Sequence, residues 1–148
     1  MGRPESPQKI ADRQARYERM TAGKGRVFKI ITKPEGEAVG WVGYRVKMWR
    51  DETIIEVGWS VIPEHQGRGI ANMGTAQAIK LARSDGKHRF MHAFPSIDNA
   101  ASNATGRKLG FTFVETCRFE YPPGSLMECN DWLIDFLAGN KRASEYLT

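Results

Sequence analysis

A short glycine-containing segment gives the clearest indication of chemistry in this sequence. It reads Gln66-Gly67-Arg68-Gly69-Ile70-Ala71 and lies between a β-like run ending at Val61 and a helical pattern beginning at Gly69. The glycines allow a ligand to approach the backbone closely because they have no Cβ. The amides of residues 67–69 and 71 would point out of a helix N-terminus, which favours negative charge. The segment therefore predicts a phosphate-binding loop.

This loop differs from the two most familiar phosphate-binding loops. A Walker A motif ends in Gly-Lys-Ser/Thr, and the dinucleotide-binding fingerprint is G-x-G-x-x-G. Residues 61–71 contain neither pattern. The loop therefore indicates a different kind of phosphate ligand site.

Residues 66–71 instead match the Q/R-x-x-G-x-G/A motif that binds the pyrophosphate of coenzyme A in the GNAT superfamily of N-acetyltransferases. The preceding run, Glu56-Val57-Gly58-Trp59-Ser60-Val61, resembles the strand before that motif. Asn99-Ala100-Ala101-Ser102 and Lys108-Leu109-Gly110-Phe111 resemble a later helix and the entry to the next strand. The resemblance covers about Val27 to Phe136 and is nearest to the branch that includes ribosomal-protein N-terminal acetyltransferases.

The resemblance implies an acetyl-CoA-dependent N-acetyltransferase. Its acceptor would be a primary amine, of a small molecule or a protein N-terminus, attacking the thioester directly in a ternary complex. Acetyl-CoA is the implied cosubstrate and no metal is implied. The implied cofactor-binding residues are Val61, Gln66, Gly67, Arg68, Gly69, Ile70, Ala71, Asn99, Ser102 and Lys108.

Two residues of the run before the loop are the implied catalytic groups. By match to the family strand, the Val61 amide would donate to the oxyanion, a contribution of roughly 3–4 kcal/mol in the transition state. Glu56 would be the general base that deprotonates the amine, since a carboxylate in an apolar strand suits a position facing a cleft. The alternative is that Glu56 is a surface charge on an edge strand.

The group that protonates the leaving thiolate is less clearly indicated. Many relatives use a tyrosine seven residues after the helix asparagine, and this position is Gly106 here. Ser102 matches the serine used in the N-terminal acetyltransferase branch. The alternatives are that Asn99 is only a helix N-cap and that Ser102 has no catalytic role.

The remaining patterns predict an α+β (mixed α/β) fold. We expect a GNAT-like mixed, mostly antiparallel twisted sheet flanked by helices. Ser6-Pro7 and Gly23 mark the start and end of a first helix. Strands are predicted at Val27–Thr32, Ala38–Val46, Thr53–Val61, Arg89–Phe94, Phe111–Tyr121 and Asp131–Phe136, and further helices at Gly69–Ser84 and Asn99–Leu109. The buried face of the helix at 69–84 is predicted to comprise Ile70, Met73, Gly74, Ala78, Leu81 and Ala82.

The chain is expected to form a single domain, with an N-terminal helix at 1–26, a core at 27–137 and a tail at 138–148. The family pattern places a strand and two helices before the position of Val27, so we expect an N-terminally shortened member. The first predicted strand would then be an open edge, which proteins usually cover. A homodimer is one way to cover that edge.

Composition excludes several other classes of protein. Of the 148 residues, 41% are hydrophobic and 26% charged, which is ordinary for a globular domain. No apolar run reaches the roughly 20 residues needed to span a bilayer, so no membrane partner is expected. We expect a cytoplasmic protein in which Cys117 and Cys129 are buried free thiols and His92 is a half-buried, hydrogen-bonded side chain.

Two other functions are compatible with parts of this pattern. The first is an acyl-CoA-binding pseudoenzyme or regulatory module, favoured by Gly106 and by the short N-terminus and opposed by Glu56 and Ser102. The second is a nucleic-acid-binding domain, based on the basic first helix and the net charge of +5. Because the basic residues alternate with acidic ones, nucleic acid is not the expected partner.

Overall fold

The computed structural model describes residues 25–32, 36–120 and 124–138 of the chain. The predicted first helix, the turn residues 33–35, residues 121–123 and the tail beyond residue 138 lie outside the described residues. The described residues form one six-stranded sheet with two α-helices and two short 3-10 turns.

The six strands run in the order β1-β2-β3-β4-β6-β5 across the sheet. Each pair of neighbours is antiparallel except β3 and β4, which are parallel. The expected mixed, mostly antiparallel sheet is therefore confirmed. The strands are β1 (Gly25–Thr32), β2 (Glu37–Trp49), β3 (Glu52–Val61), β4 (Phe90–Ala93), β5 (Thr112–Glu120) and β6 (Leu126–Asp135).

Helix α1 (Ile70–Asp85) makes the crossover that the parallel pair β3–β4 requires, and helix α2 (Ala100–Lys108) connects β4 to β5. Gly69 is the N-cap of α1 and Gly86 its C-cap. At the C-terminal end of α1, Asp85 Oδ2 accepts a hydrogen bond of 3.1 Å from the hydroxyl of Tyr44 on β2. Within the described residues, no helix is long and apolar enough to cross a membrane.

The main core lies between the helices and one face of the sheet. Alternating residues of each strand face it, as the two-residue period of a strand requires. Its buried members are Val42, Tyr44, Ile55, Val57, Ala76, Ala78, Ile79, Ala82, Met91, Ala93, Leu109, Phe111, Trp132 and Ile134. The residues between them along the strands, Glu56 and His92 among these, therefore face the opposite side.

The predicted buried face of α1 is wrong in part. The buried residues are Asn72, Thr75, Ala76, Ala78, Ile79 and Ala82, so only Ala78 and Ala82 were predicted. Met73 is 51% exposed and Leu81 37% exposed. The helix turns its small residues to the sheet, which allows a close approach, and leaves its larger Met73 and Leu81 beside β1.

Two strand boundaries differ from the prediction by three residues or more. β6 begins at Leu126, five residues before the predicted Asp131, and residues 126–130 pair in register with 116–120 of β5. Leu126, Met127 and Glu128 are exposed, so this part of the strand lacks the apolar alternation that identifies a strand. β2 continues three residues past Val46 to a tight turn at Arg50 and Asp51, both with positive φ. Such turns usually contain Asn or Gly, and neither residue marks the end of β2 here.

Candidate active site

The sheet opens between its two parallel strands. β3 and β4 are paired at only two positions, Ile55 with Met91 and Glu56 with His92. Beyond this point β3 continues along β2 as far as Val61, opposite Gly40, while β4 continues along β6. The second half of β3 therefore has one edge without a neighbouring strand among the described residues.

The Val61 amide faces this opening. The next amide, that of Ile62, donates to Val39 O on β2 at 2.8 Å. Since successive amides of an extended chain point to opposite edges, the Val61 N–H points away from β2. On the same edge the Gln66 side chain donates from Nε2 to the Val61 carbonyl at 2.9 Å, which closes the end of the opening.

The glycine turn that follows β3 leads directly into α1. Gly67 and Gly69 have φ values of 79° and 76°, a left-handed conformation that disfavours other residues. No side chain caps the N-terminus of α1, and the helix starts with Met73 N donating to Gly69 O at 3.0 Å. The first-turn amides and the helix dipole are therefore directed at the space beyond the turn.

A cleft of about 450 Å³ lies between the first turn of α1 and the last turn of α2. It is lined by Asn72, Ala104, Thr105, Arg107 and Lys108. Asn72 comes from the first turn of α1, and the last turn of α2 places the cations Arg107 and Lys108 beside the same space.

The N-terminus of α2 is held by an asparagine network. Asn99 Oδ1 accepts from the Ser102 amide at 3.0 Å, so the N-cap interpretation of Asn99 is confirmed. Asn103 Nδ2 donates to the carbonyls of Ser96 and Asn99, and its Oδ1 accepts from Trp132 Nε1 at 2.8 Å. This network fixes the backbone of the first turn of α2, including the Ser102 amide.

Gly106 lies against the indole of Trp132. A Cβ at this position would be 3.5 Å from the ring atoms Cγ and Cδ2. This is an ordinary van der Waals distance, so the indole of Trp132 packs directly on the backbone of α2 at this position.

Glu56 lies at the point where the opening begins. Its side chain is 19% exposed, and Oε1 accepts from Arg45 at 3.0 Å (Nε) and 2.8 Å (Nη2). Lys47 Nζ is 3.8 Å from the same oxygen. β3 lies between β2 and β4, so Glu56 is not on an edge strand of the described sheet.

Sequence reasoning missed the partners that gather around Glu56. Arg45 is opposite Glu56 on β2 and His92 is opposite it on β4. His92 is buried rather than half-buried, and its Nδ1 is 2.6 Å from Asp131 Oδ1 on β6. These contacts join four strands. The strand register brings the residues together, and no local pattern in the sequence shows that register.

A cluster of three aromatic rings completes this side of the site. Trp49, Phe94 and Phe119 lie 4.9–5.1 Å apart between ring centroids. The Lys47 ammonium lies 4.6 Å from the Phe119 ring and 5.0 Å from the Phe94 ring. The cluster connects the β2–β3 hairpin to the far half of the sheet. Among the described residues, no group of His, Cys, Asp and Glu could hold a metal ion.

Comparison with known proteins agrees with this architecture. A family model described as an acetyltransferase (GNAT) domain matches residues 1–112. Among proteins with curated functions, none matches the sequence.

Several solved structures resemble the fold. A putative acetyltransferase, YncA, from Salmonella typhimurium with its cofactor acetyl-CoA has a TM-score of 0.64 and 23% identity, covering 85% of this chain and 73% of that one. A ribosomal-protein-alanine N-acetyltransferase from Brucella melitensis has a TM-score of 0.64 and 21% identity, covering 88% and 79%. RimJ from Mycobacterium smegmatis in complex with CoA-disulfide has a TM-score of 0.68 and 17% identity, covering 98% and 74%.

Proposed function

The chain belongs to the GNAT acetyltransferase family, and from this we propose that it is an acetyl-CoA-dependent N-acetyltransferase acting on a primary amine. The acceptor would be a small molecule or a protein N-terminus, and it would attack the thioester directly in a ternary complex. One observation carries the proposal. An uncapped helix N-terminus with two left-handed glycines opens beside a strand whose edge is left without a neighbour.

The residues at this helix end fit the phosphates of coenzyme A. The turn offers amides that no side chain occupies, and an anion is favoured there by the helix dipole. Arg107 and Lys108 would add two positive charges across the cleft. We assign cofactor binding to Val61, Gln66, Gly67, Arg68, Gly69, Ile70, Ala71, Asn99, Ser102 and Lys108.

The roles within this group differ. The backbone around Gly69 would bind the pyrophosphate, whereas Gln66 acts through the Val61 carbonyl, which it holds in place. Asn99 likewise acts by fixing the first turn of α2. Acetyl-CoA, when bound, supplies the thioester that is attacked.

Acetyl transfer also needs a donor to the oxyanion and an acceptor for the proton of the amine. The Val61 amide points into the opening and would serve as the donor to the oxyanion. Glu56 would attract the ammonium form of the acceptor and remove a proton from it. Ser102, at the start of α2, would donate a hydrogen bond to the leaving thiolate.

The proposal is tested by replacing Gly69 with valine. At φ 76° a β-branched residue is strained and would turn the amides away, although no atom lies within 4 Å of the added Cβ. We expect the variant to lose the binding of CoA measured by calorimetry and the release of thiol from acetyl-CoA with amines. The matched control is Gly36→Val, since Gly36 has φ 70° and equally open surroundings in another turn.

Each outcome has a distinct meaning. Unchanged CoA affinity in the Gly69 variant would show that the phosphates bind elsewhere. CoA binding by the wild-type protein without thiol release across a broad amine panel would favour the pseudoenzyme or regulatory module instead.

A further inference from the structure

The buried pair of His92 and Asp131 has no role in the function proposed above. The two residues are 7% and 1% exposed, and Nδ1 of His92 is 2.6 Å from Oδ1 of Asp131. Removing two ionisable groups from water costs free energy that a hydrogen bond only partly offsets. A core needing only stability would be served as well by apolar residues, so the pair calls for a chemical explanation.

The pair fixes one tautomer of the histidine. A carboxylate can only accept hydrogen bonds, so Nδ1 carries the proton that it donates to Asp131. Nε2 is then left as an acceptor on the opposite side of the ring. The imidazole stacks on Phe94 with a centroid distance of 5.6 Å and an interplanar angle of 10°, which holds the plane of the ring.

The position of His92 relates it to the reaction. It is the strand partner of Glu56 at the last paired position before β3 and β4 separate. Partners in register place their side chains on the same face of a sheet. His92 and Glu56 therefore lie side by side at the start of the opening, on the face away from α1.

The chemistry removes two protons from the acceptor nitrogen. An ammonium group keeps one of its three protons when it becomes an amide, and it loses the other two. One of these balances the thiolate, which ends as a thiol, and the other goes to solvent. Glu56 accounts for one proton at a time, and its Oε1 is already bonded to Arg45.

We propose that His92 is the second proton acceptor of the acetyl transfer and that Asp131 is its positioning residue. This inference rests on the proposed function. As the nitrogen–carbon bond forms and the carbon–sulfur bond breaks, Glu56 receives one proton from the acceptor nitrogen and Nε2 of His92 receives the other. Asp131 stabilises the imidazolium through Nδ1–H, and both protons then leave, one in the thiol and one to solvent.

The groups around the histidine suit this role. The charged neighbours are Asp131 on β6, Glu56 on β3, and Arg45 and Lys47 on β2. Two thiols also face this region, and burial raises the pKa of Cys117 to about 11 and raises that of Cys129. Both thiols are therefore neutral near pH 7 and do not compete as proton acceptors.

The first test replaces His92 with glutamine. The assay measures thiol release from acetyl-CoA with an alanine-terminated dipeptide, lysine ethyl ester and benzylamine as acceptors. We expect kcat/KM to fall by roughly 10²–10⁴-fold, the usual cost of losing a general base, while CoA affinity stays unchanged. The acid limb of the pH–rate profile should lose one titrating group. His88→Gln is the matched control, since His88 lies in the loop before β4.

The second test uses Asp131→Asn and needs no turnover. The asparagine amide can donate to Nδ1, so the proton of the neutral imidazole should move to Nε2. Nitrogen-15 NMR of histidine-labelled protein should report the Nδ1–H tautomer in the wild type and the Nε2–H tautomer in the variant. The rate should fall with that switch, by roughly the same 10²–10⁴-fold.

The outcomes separate this inference from the proposed function. Wild-type turnover with an unchanged rate and acid limb in His92→Gln would overturn the inference alone. A tautomer switch without a change in rate would also overturn it. No thiol release by the wild-type protein with any of the three amines would overturn the proposed function, and this inference with it.

Discussion

At the scale of single residues, the position of Glu56 shows how a charge is placed inside a sheet. Its neighbours Ile55 and Val57 are buried against the helices, so the two-residue period turns Glu56 to the other face. There Arg45 and Lys47 offset its charge, and its side chain keeps 19% exposure. A carboxylate held in this way is available to an incoming cation without being left unpaired in the core.

We expect Glu56→Gln to retain CoA affinity and to lower kcat/KM by roughly 10²–10⁴-fold, since glutamine keeps the shape but cannot accept a proton. Calorimetry and thiol-release kinetics across a range of pH measure the two effects. Glu52→Gln, an exposed change on the same strand, is the control. An unchanged pH–rate profile would reduce Glu56 to a residue that orients the substrate.

The residues of the site were predictable where they are close in sequence. The turn at 66–71 and the Asn99 cap are local patterns, and a few adjacent residues define each of them. Asp131 and His92 are 39 residues apart, and Arg45 and Glu56 are 11 apart. Their contacts depend on strand register, which is set by the buried face of the whole sheet and by its turns and not by a few adjacent residues.

At the scale of elements, α1 shows where hydrophobic periodicity fails to predict the buried face of a helix. Its ends were predicted within one residue because glycines mark both of them. Its buried face was predicted poorly because the sequence contains large apolar residues on two sides. The fold selects the side with Thr75, Ala76 and Ile79, which are 0% exposed. A hydrophobicity pattern favours large residues, whereas close packing on a sheet favours small ones.

The ion pair between Arg89 and Asp135 joins the start of β4 to the end of β6, with two hydrogen bonds of 3.0 Å. The hydrogen bond from Arg89 lowers the pKa of Asp135 below its usual range. A lowered folded pKa means that the pair stabilises the fold above the pKa of an unfolded aspartate, about 3.9. This contribution is lost as the pH falls through the lower, folded value.

Arg89→Gln should therefore lower the thermal midpoint slightly at pH 7, and the difference from wild type should begin to shrink below about pH 3.9 and vanish below the still lower folded pKa of Asp135. Arg89 is exposed and Asp135 is partly exposed, so the effect should be small and should weaken with added salt. Thermal melts from pH 7 down to about pH 2 measure it. Lys87→Gln, an exposed lysine in the preceding loop, controls for loss of a positive charge. An equal difference at all pH values would contradict the assignment.

At the scale of the whole molecule, the sheet formed by the described residues ends at β1 on one side and at β5 on the other. The class of the sheet was predictable from the alternation of strand and helix patterns. The strand order was not, because placing β6 between β4 and β5 requires contacts distant in sequence. The resemblance to the GNAT family indicated a mixed, mostly antiparallel sheet, because members of a family share a fold.

The β1 edge is the surface through which we expect the protein to associate with a second copy. Among the described strands, β1 pairs only with β2, and Ile31 near its end is 54% exposed. Beside it, between β1 and α1, runs an apolar groove of about 510 Å³ that includes Ile30, Ile70 and Met73. An open edge next to apolar surface is a site for pairing with a second chain.

We therefore expect the protein to form a homodimer through β1. Sedimentation velocity at low micromolar concentration should show a dimer, and Ile31→Lys should shift it to monomer, because a lysine on an edge strand opposes strand pairing. Leu126→Lys is the control, since Leu126 is 69% exposed on a different strand, β6. A wild-type protein that stays monomeric at every concentration would contradict this prediction.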